Sequence, residues 1–118
     1  MADQCIFCRI VAGQIPSPRV YEDEFCIVIR DIQPQAKAHF LAIPKRHVAH
    51  MYELCSEQEG WQLAGRLMNA AVNAATGNGL MPGGFRLVLN TNPDGGQTVY
   101  HLHAHILGGE PLKGSFGA

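Results

Sequence analysis

The sequence carries almost no net charge and no long apolar run. Nine Lys and Arg stand against ten Asp and Glu, which gives the 118 residues a net charge of −1 at pH 7. A general nucleic-acid binder needs a clustered excess of basic side chains, so no nucleic-acid polymer is expected as a partner. The apolar runs are far shorter than the roughly 20 residues of a membrane-spanning helix, so no membrane association is expected. No basic segment precedes an apolar stretch at the N-terminus, so we expect no signal peptide and a cytoplasmic protein.

Cysteine is also scarce, with four residues in the chain. Cysteines in a reducing compartment seldom form disulfides. Cys5 and Cys8 have the C-x-x-C spacing of a metal knuckle or of a thiol redox site. The redox interpretation is the weaker one, because the βαβ context of a thioredoxin-like motif is missing. Cys26 and Cys55 stand alone and are expected to be small buried hydrophobic residues.

Hydrophobic residues, by contrast, make up 47% of the chain, and charged residues make up 16%. This composition is that of a globular protein, and the length fits one domain over residues 1–118. Short apolar segments bounded by turn residues predict five strands. The predicted strands are Arg19–Tyr21, Phe25–Ile29, His39–Ile43, Phe85–Leu89 and Val99–Leu107.

One long helix is predicted from Ser56 to about Thr76, with Ser56 and Glu59 as a capping box and Gly77 as a left-handed stop. Its polar residues form one narrow stripe, and the remaining positions are almost all apolar. The stripe consists of Gln62, Arg66, Asn69 and Asn73. A helix on the outside of a sheet needs a single apolar face, whereas this helix has two, one of them rich in Ala and Gly. Either loops or a partner subunit cover the second face.

Three of the six histidines fall within five residues, as His101, His103 and His105. Alternate residues of a strand point to the same face, so the three imidazoles are expected to share one face. The outer two Cα atoms are then about 13 Å apart, which is too far for all three side chains to bind one metal at about 2 Å. We therefore expect different roles for the three rings, with a neutral imidazole as nucleophile or base.

A glycine-rich segment, residues 90–98, lies directly before the histidines. Gly95 and Gly96 allow the backbone to approach a ligand closely, and the N–H groups of residues 95–98 favour an anion. Gln97 and Thr98 add side-chain donors. A Gly-Gly turn alone is a weak indication, but donors beside a histidine nucleophile favour a phosphoryl-transfer site.

The segment His101-Leu102-His103-Ala104-His105-Ile106-Leu107 resembles the His-φ-His-φ-His-φ-φ signature of the histidine triad (HIT) superfamily, where φ is an apolar residue. Nearly the whole chain is similar to its Hint branch, the purine nucleoside phosphoramidases. This similarity is carried by Ile6-Phe7, Gln14-Ile15-Pro16, Val20-Tyr21-Glu22-Asp23, Asp31-Ile32-Gln33-Pro34-Gln35-Ala36, His39-Phe40-Leu41, Ile43-Pro44-Lys45, Asn90, Gly95-Gly96-Gln97-Thr98-Val99-Tyr100 and Gly108-Gly109.

This resemblance implies an α+β fold with a five-stranded antiparallel sheet and one long helix. It also implies a homodimer in which the helices and sheet edges of two protomers join into one larger sheet. The implied reaction is hydrolysis of a nucleoside 5′-phosphoramidate or an acyl-nucleotide at the α-phosphate, with a purine nucleotide such as AMP or GMP as product. His103 would be the nucleophile that forms a covalent nucleotidyl-imidazole, with its tautomer set by the backbone carbonyl near His101. Thr98 would lie close to the leaving amine.

The resemblance also assigns nucleotide contacts. The phosphate oxygens would be held by the side chains of Asn90, Gln97 and His105 and by the N–H groups of residues 95–98, which include Gly96. Asp31 would accept both ribose hydroxyls, although an Asp in this setting otherwise caps a turn. The base pocket would be lined by Phe7, Ile10, Ile29, Ile32 and Leu41. A plain hydrophobic core uses the same residue types, and the sequence does not separate the two.

Cys5 and Cys8 depart from the plainest Hint pattern. Other members of the superfamily and the related galactose-1-phosphate uridylyltransferases pair such a knuckle with two histidines around a structural zinc. Carried over by position, the Zn²⁺ ligands would be Cys5, Cys8, His47 and His101, a closed tetrahedral set. A reduced dithiol and a solvent-exposed pair are the alternatives, and His50 competes as the fourth ligand. His39 is expected to be structural.

Two other functions remain open from the sequence. One is a nucleotide-binding or scaffold protein with low turnover, and the other is a dinucleoside polyphosphate hydrolase of the same superfamily. The intact His103 and the competent residues at the phosphate-contact positions favour an enzyme. The segments 95–100 and 108–109 favour the Hint branch.

Overall fold

Five antiparallel strands form a single sheet, in the order β1-β2-β3-β5-β4, in a computed structural model that describes residues 4–114. The strands are β1 (Arg19–Glu22), β2 (Cys26–Arg30), β3 (Ala38–Pro44), β4 (Phe85–Val88) and β5 (Ala104–Gly108). The helices are α1 (Ile6–Val11), α2 (Met51–Cys55) and α3 (Gly60–Gly77), and a short 3-10 turn covers Pro93–Gly95. The predicted α+β class and five-stranded antiparallel sheet are confirmed. Residues 1–3 and 115–118 of the predicted domain lie outside the described range.

β2 and β3 are interior strands of the sheet, and both of their faces are covered. Side chains of β2 alternate between two core clusters: Cys26 and Val28 pack on the α3 side, and Ile27 and Ile29 on the α1 side. Near-continuous apolar runs of this kind are typical of strands buried on both faces. The bounds of β1 to β4 lie within one residue of the predicted ones.

The fifth strand is shorter than predicted, because β5 begins at Ala104 and not at Val99. Polar groups of the preceding residues bond to the segment after β3. The N–H of Leu102 donates to the carbonyl of Val48 over 2.7 Å, and the ring of His101 bonds to the carbonyl of Pro44. These tertiary hydrogen bonds satisfy groups that a strand would pair in a ladder, so the predicted strand over residues 99–103 is wrong.

Two helices stand where one was predicted. Ser56 ends α2, and its hydroxyl donates to the carbonyl of Glu53 over 2.6 Å. Glu59 precedes α3 with a positive φ of 59° and caps no N–H with its side chain, so the predicted capping box is wrong. Gly60 explains the break, because a Cβ at this position would overlap the carbonyl oxygen of Leu54.

The C-terminal stop of α3 also differs from the prediction. Gly77 is still helical, and the residue with positive φ is Gly79, at 78°. The N–H of Leu80 donates to the carbonyl of Ala75 over 3.0 Å. This is the bond that closes a helix around a left-handed glycine.

The two apolar faces of α3 have different environments. The Ala-rich face packs on the chain's own sheet, with Ala71 and Ala74 buried. The second face, which we call the outer stripe, consists of Trp61, Gly65, Met68 and Val72. Trp61, Gly65 and Val72 are exposed, and Met68 is half-buried against the core. Trp61 is 69% exposed and Val72 is 43% exposed. The predicted polar stripe, whose four residues are all exposed, lies beside the outer stripe.

α1, which the sequence analysis did not predict, covers the opposite face of the sheet. Phe7 and Ile10 are buried against the inner residues of β2 and β3. Cys5 caps this short helix, and its sulfur accepts from the N–H of Cys8 over 3.4 Å. Within residues 4–114, no helix has the length and apolar character needed to span a membrane.

Candidate active site

The ring of His101 is held through its Nε2 atom. It is fully buried, and Nε2 lies 2.8 Å from the carbonyl oxygen of Pro44. Because a carbonyl only accepts, Nε2 carries the ring proton and Nδ1 keeps its lone pair. Burial lowers the pKa of His101 to about 4, so the neutral ring offers Nδ1 as a ligand atom at pH 7.

His103 has the geometry of a histidine nucleophile. Its Nδ1 lies 2.7 Å from the carbonyl oxygen of His101. Nδ1 therefore donates its proton to that carbonyl, and Nε2 is left unprotonated. Burial lowers the pKa of His103 below its ordinary value, which favours the neutral ring at pH 7. The contact between these two residues is the one expected from the sequence.

A chain of hydrogen bonds behind His105 fixes the position of its ring proton. The N–H of Gln35 donates to Nδ1 of His39 over 3.0 Å, so the proton of the His39 ring is on Nε2. That Nε2 lies 3.0 Å from Nδ1 of His105 and 3.3 Å from Oδ2 of Asp31. His105 thus accepts at Nδ1 and carries its own proton on Nε2. Burial and the neighbouring His103 and His39 lower the pKa of His105 to about 4, so this Nε2–H is a neutral donor at pH 7.

Asp31, His39 and His105 also place three potential metal-ligand atoms within 4.8 Å of one another. Metal binding at Nε2 of His39 would move the ring proton to Nδ1, which faces the N–H of Gln35. Two N–H groups would then point at each other, and losing the hydrogen bond of a buried donor is costly. The three residues therefore form a hydrogen-bond relay, which we call the Asp31–His39–His105 relay.

His39 was expected to be structural, but its ring also contacts His105. It contacts a triad histidine because β3 pairs with β5, with Leu41 opposite His105 in that register. His39 and Leu41 are two residues apart, so both point to the same face of β3. The sequence predicts that these two residues share a face, but it does not predict the register between two strands that are distant in the chain.

The turn before the triad uses most of its own N–H groups. The N–H groups of residues 95–97 donate to carbonyls of residues 92 and 93 over distances of 3.0–3.1 Å. Thr98 is the exception, since its N–H has no protein partner in the described residues. The 3-10 turn at Pro93–Gly95 accounts for these internal bonds. The expected anion site on residues 95–98, including Gly96, stays a prediction, with the N–H of Thr98 as its uncommitted backbone donor.

The side chain of Gln97 is engaged as well. Its Nε2 donates to the carbonyls of Ala49 and Val99 over 2.8 and 3.1 Å, and its Oε1 accepts from the N–H of Asn92 over 2.8 Å. A primary amide has two hydrogens to donate, and both are used here. Through these bonds Gln97 fixes the turn to the segment after β3, and its expected phosphate contact stays a prediction.

Asn90 and Thr98 keep donors that face no internal acceptor. One amide hydrogen of Asn90 is donated to the carbonyl of Gly95 over 2.7 Å, and the second remains available as a donor. Thr98 is exposed and offers its hydroxyl together with its N–H. Together with the Nε2–H of His105, these groups are the candidate donors to a phosphoryl group.

An apolar wall adjoins the triad. Four of the five residues expected in a base pocket are buried together in one cluster, namely Phe7, Ile10, Ile29 and Leu41. The ring of Phe7 lies edge-on to His103, with the ring centroids 5.0 Å apart. Ile32 is separate from this cluster and 94% exposed on the loop after β2.

A concavity of about 1050 Å³ lies away from the triad, between the α2–α3 turn and the ends of β2 and β3. Trp61, Lys45 and Arg46 are among its lining residues. Both of these cations are paired, Lys45 with Glu22 over 2.9 Å and Arg46 with Glu57 over 2.8 Å. Because no triad residue lines it, this concavity is a poor place for phosphoryl chemistry.

Four potential metal ligands converge beside His101. Its Nδ1 lies 3.3 Å from the sulfur of Cys5, 3.5 Å from the sulfur of Cys8 and 3.1 Å from Nδ1 of His47. All four ligand atoms lie within 4.8 Å of one another. Two sulfurs and two nitrogens at this spacing fit a tetrahedral Zn²⁺ site, and the lone pair on Nδ1 of His101 faces it.

The other two cysteines and the alternative histidine lie elsewhere. Cys26 is buried as expected, whereas Cys55 is exposed at the end of α2, so its predicted burial is wrong. His50 caps α2 by accepting from the N–H of Glu53 over 3.2 Å. It is therefore committed to a helix cap and stands outside the four-ligand group.

Comparisons with known proteins agree with this geometry. Residues 4–115 match the family described as "Scavenger mRNA decapping enzyme C-term binding". The chain is 43% identical to the purine nucleoside phosphoramidase of Escherichia coli K12 over 112 residues, which cover 95% of this chain and 92% of that protein. It is 45% identical to an uncharacterized HIT-like protein of Synechococcus elongatus, with 95% and 96% covered.

Solved structures show the same relationship. A HIT family hydrolase from Legionella pneumophila Philadelphia 1 superposes with a TM-score of 0.86 at 41% identity, over 92% of this chain and 96% of that one. A histidine triad protein from Clostridium difficile superposes with a TM-score of 0.89 at 36% identity, over 95% and 96%. The chain therefore belongs to the histidine triad family of hydrolases.

Proposed function

We propose that the protein hydrolyses nucleoside 5′-phosphoramidates or acyl-nucleotides at the α-phosphorus, with His103 as the nucleophile. The observation that carries this proposal is the 2.7 Å contact from Nδ1 of His103 to the carbonyl of His101, which leaves Nε2 as an unprotonated nucleophile. The similarity to a purine nucleoside phosphoramidase supports this class of substrate.

In the first step, the lone pair on Nε2 of His103 attacks phosphorus, and the P–N bond of a phosphoramidate breaks. In an acyl-nucleotide, the P–O bond to the acyl group breaks instead, and a carboxylate leaves. The leaving nitrogen takes up one proton at the exposed side of the site, where the Thr98 hydroxyl lies. The nucleotidyl-imidazole carries positive charge while Nδ1–H stays on the ring. The carbonyl of His101 stabilises that charge, because its oxygen already points at Nδ1–H.

In the second step, a water oxygen attacks phosphorus and the bond to Nε2 of His103 breaks. The electron pair returns to Nε2, and the attacking water loses one proton to solvent, which balances the proton that the leaving nitrogen took from solvent in the first step. Negative charge on the phosphoryl oxygens is met by the Nε2–H of His105, the amide of Asn90 and the N–H of Thr98. The Asp31–His39–His105 relay supports this role, because it keeps the Nε2 proton of His105 on the outward side.

The nucleoside would lie between Asp31 and the apolar wall. Oδ1 of Asp31 caps a turn by accepting from the N–H of Gln33 over 2.8 Å, and Oδ2 contacts His39. A carboxylate has about four acceptor positions, so capacity remains for ribose hydroxyls. The apolar wall and the exposed Ile32 offer a surface for a purine base.

We also propose a structural Zn²⁺ held by Cys5, Cys8, His47 and His101. Bound metal would supply a tetrahedral cross-link between α1 and the segments that follow β3 and precede β5. With four protein ligands, no position is left for a reactive water. All proton and phosphoryl transfers in the reaction are therefore assigned to the chain's own side chains.

The outer stripe of α3 supports a homodimer as the working unit. Trp61, Gly65 and Val72 of this stripe are exposed and Met68 is half-buried, so a single protomer leaves apolar surface uncovered here. A second copy of the same face would cover it with two-fold symmetry, with Gly65 allowing close approach of the helices. A cytoplasmic location stays a prediction, consistent with four free cysteines.

Steady-state hydrolysis of an adenosine 5′-phosphoramidate with a fluorogenic amine tests the proposal. His103→Ala should lose several powers of ten in kcat and still bind AMP, because base, ribose and phosphate contacts come from other residues. His105→Ala should lose less. A wild-type protein that binds AMP without turnover would show a binding or scaffold protein. Faster cleavage of a dinucleoside polyphosphate would show the alternative hydrolase.

A further inference from the structure

Phe7 sits between the two cysteines of α1 and touches two of the three triad histidines. Its ring lies 5.0 Å from the His103 ring at an interplanar angle of 79°, and 5.9 Å from the His101 ring at 78°. Both are edge-to-face arrangements, which aromatic pairs prefer at these distances. Phe7 is only 7% exposed, so most of its surface is in contact with the rest of the chain.

The ring of the nucleophile needs more than one restraint. The terminal torsion of a histidine side chain is broad and roughly two-fold, so a ring flip would take Nδ1 away from the His101 carbonyl. The hydrogen bond at 2.7 Å opposes this flip at one edge of the ring. Contacts with Phe7 and with His105, whose ring centroid is 5.1 Å away, hold the rest of the ring.

Phe7 is itself held by the group that binds His101. Cys5 and Cys8 flank it in sequence, and their sulfurs lie 3.3 and 3.5 Å from Nδ1 of His101. One short helix is thus anchored to His101 by its sulfurs and to His103 by the ring between them. The position of α1 and the orientation of the nucleophile are therefore linked.

We propose that Phe7 is a positioning residue for His103, which holds the imidazole in the orientation where Nδ1–H meets the His101 carbonyl and Nε2 faces the substrate. This proposal rests on the proposed function, in which His103 is the nucleophile. It differs from the base-pocket role expected for Phe7, because a wall residue acts on substrate affinity and a positioning residue acts on the chemical step.

The test compares Phe7→Leu with Val11→Ala, a matched change in the same helix at a residue that packs on the same cluster. For Phe7→Leu we expect kcat to fall roughly tenfold or more, with a smaller change in KM. In the ligand-free protein, the ¹⁵N-correlated Nδ1–H signal of His103 should broaden or disappear. Val11→Ala should keep both the signal and kcat. Phe7→Met is a milder second variant, expected to show the same changes at smaller size.

A rise in KM at unchanged kcat, with the Nδ1–H signal retained, would overturn the proposal and leave Phe7 as a wall of the base pocket. In the wild-type protein, contacts between the protons of the two rings should appear in NOE spectra, and their absence would also overturn it. These signals are read without substrate. A failure of the proposed function, seen as full activity in His103→Ala, is therefore distinguishable from a failure of this one.

Discussion

At the level of single residues, the proposed mechanism depends on which nitrogen of each histidine carries the proton. The N–H of Gln35 decides this for His39, and His39 decides it for His105. His39→Ala should therefore lower kcat by roughly 10- to 100-fold, because His105 loses the partner that keeps its proton on Nε2. His50→Ala, at a histidine that only caps α2, is the control in the same assay. A kcat equal to that of the wild type in His39→Ala would remove the relay from the mechanism.

The same residues give the folded protein a pH dependence of stability. The pKa of His105 is lowered from 6.5 to about 4, so between these values the unfolded chain binds more protons than the folded one. The free energy of unfolding is therefore retained above pH 6.5 and falls as the pH drops towards 4. Urea unfolding at pH 7 and pH 5 should show a smaller loss in His105→Gln than in the wild type. An equal loss in both proteins would mean that other groups cause it.

At the scale of secondary-structure elements, α1 is a small unit whose docking depends on few contacts. Cys5→Ser combined with Cys8→Ser should lower the melting temperature by roughly 5 °C or more and raise KM for the nucleotide, because α1 carries part of the apolar wall. A chelator should lower the melting temperature of the wild type and not of the double variant. Metal analysis should find about one zinc per protomer in the wild type.

Cys55→Ser is the control for this pair, since Cys55 is exposed and outside the group of ligands. Native protein without zinc would exclude the proposed site. A double variant that loses kcat with unchanged stability would show that the cysteines act on the chemistry directly.

Local patterns predicted most of these elements, and the misses have a common cause. The strands β1 to β4 follow from apolar segments bounded by turn residues, which act over a few positions. The break before α3 depends on the contact of Gly60 with the Leu54 carbonyl, and the late start of β5 depends on hydrogen bonds to Pro44 and Val48. Sequence patterns do not contain such tertiary contacts.

The candidate site divides in the same way. The identities of the triad and of the four candidate metal ligands were predicted from motif and resemblance, and the structure brings those four side chains together. The contact of His103 with the carbonyl of His101 was also expected, but the other side-chain partners in the site were not predicted. The amide of Gln97 donates to the carbonyl of Ala49, and the ring of His39 contacts that of His105. Neither contact could be predicted, because both depend on how distant segments are placed.

At the scale of the whole molecule, the outer stripe of α3 determines the expected assembly. The Ala-rich face is buried against the sheet, so a charge at Ala71 or Ala74 would test folding and not association. Val72→Glu places a charge in the outer stripe and should yield a protomer of about 13 kDa by light scattering at micromolar concentration, where the wild type should be a dimer. Asn73→Glu, on the neighbouring polar stripe, should stay dimeric. A monomeric wild type would contradict this assembly.

In the proposed reaction His103 becomes covalently bonded to the nucleotide, and trapping this adduct is the decisive measurement. Protein mixed with an adenosine 5′-phosphoramidate is denatured within milliseconds at alkaline pH, digested and measured by mass spectrometry. We predict a nucleotidyl group on the peptide that contains residues 101–105, located on His103 by fragmentation, present in His105→Ala and absent in His103→Ala. A nucleotidyl group on a different residue, or rapid turnover by His103→Ala, would show that His103 is not the nucleophile.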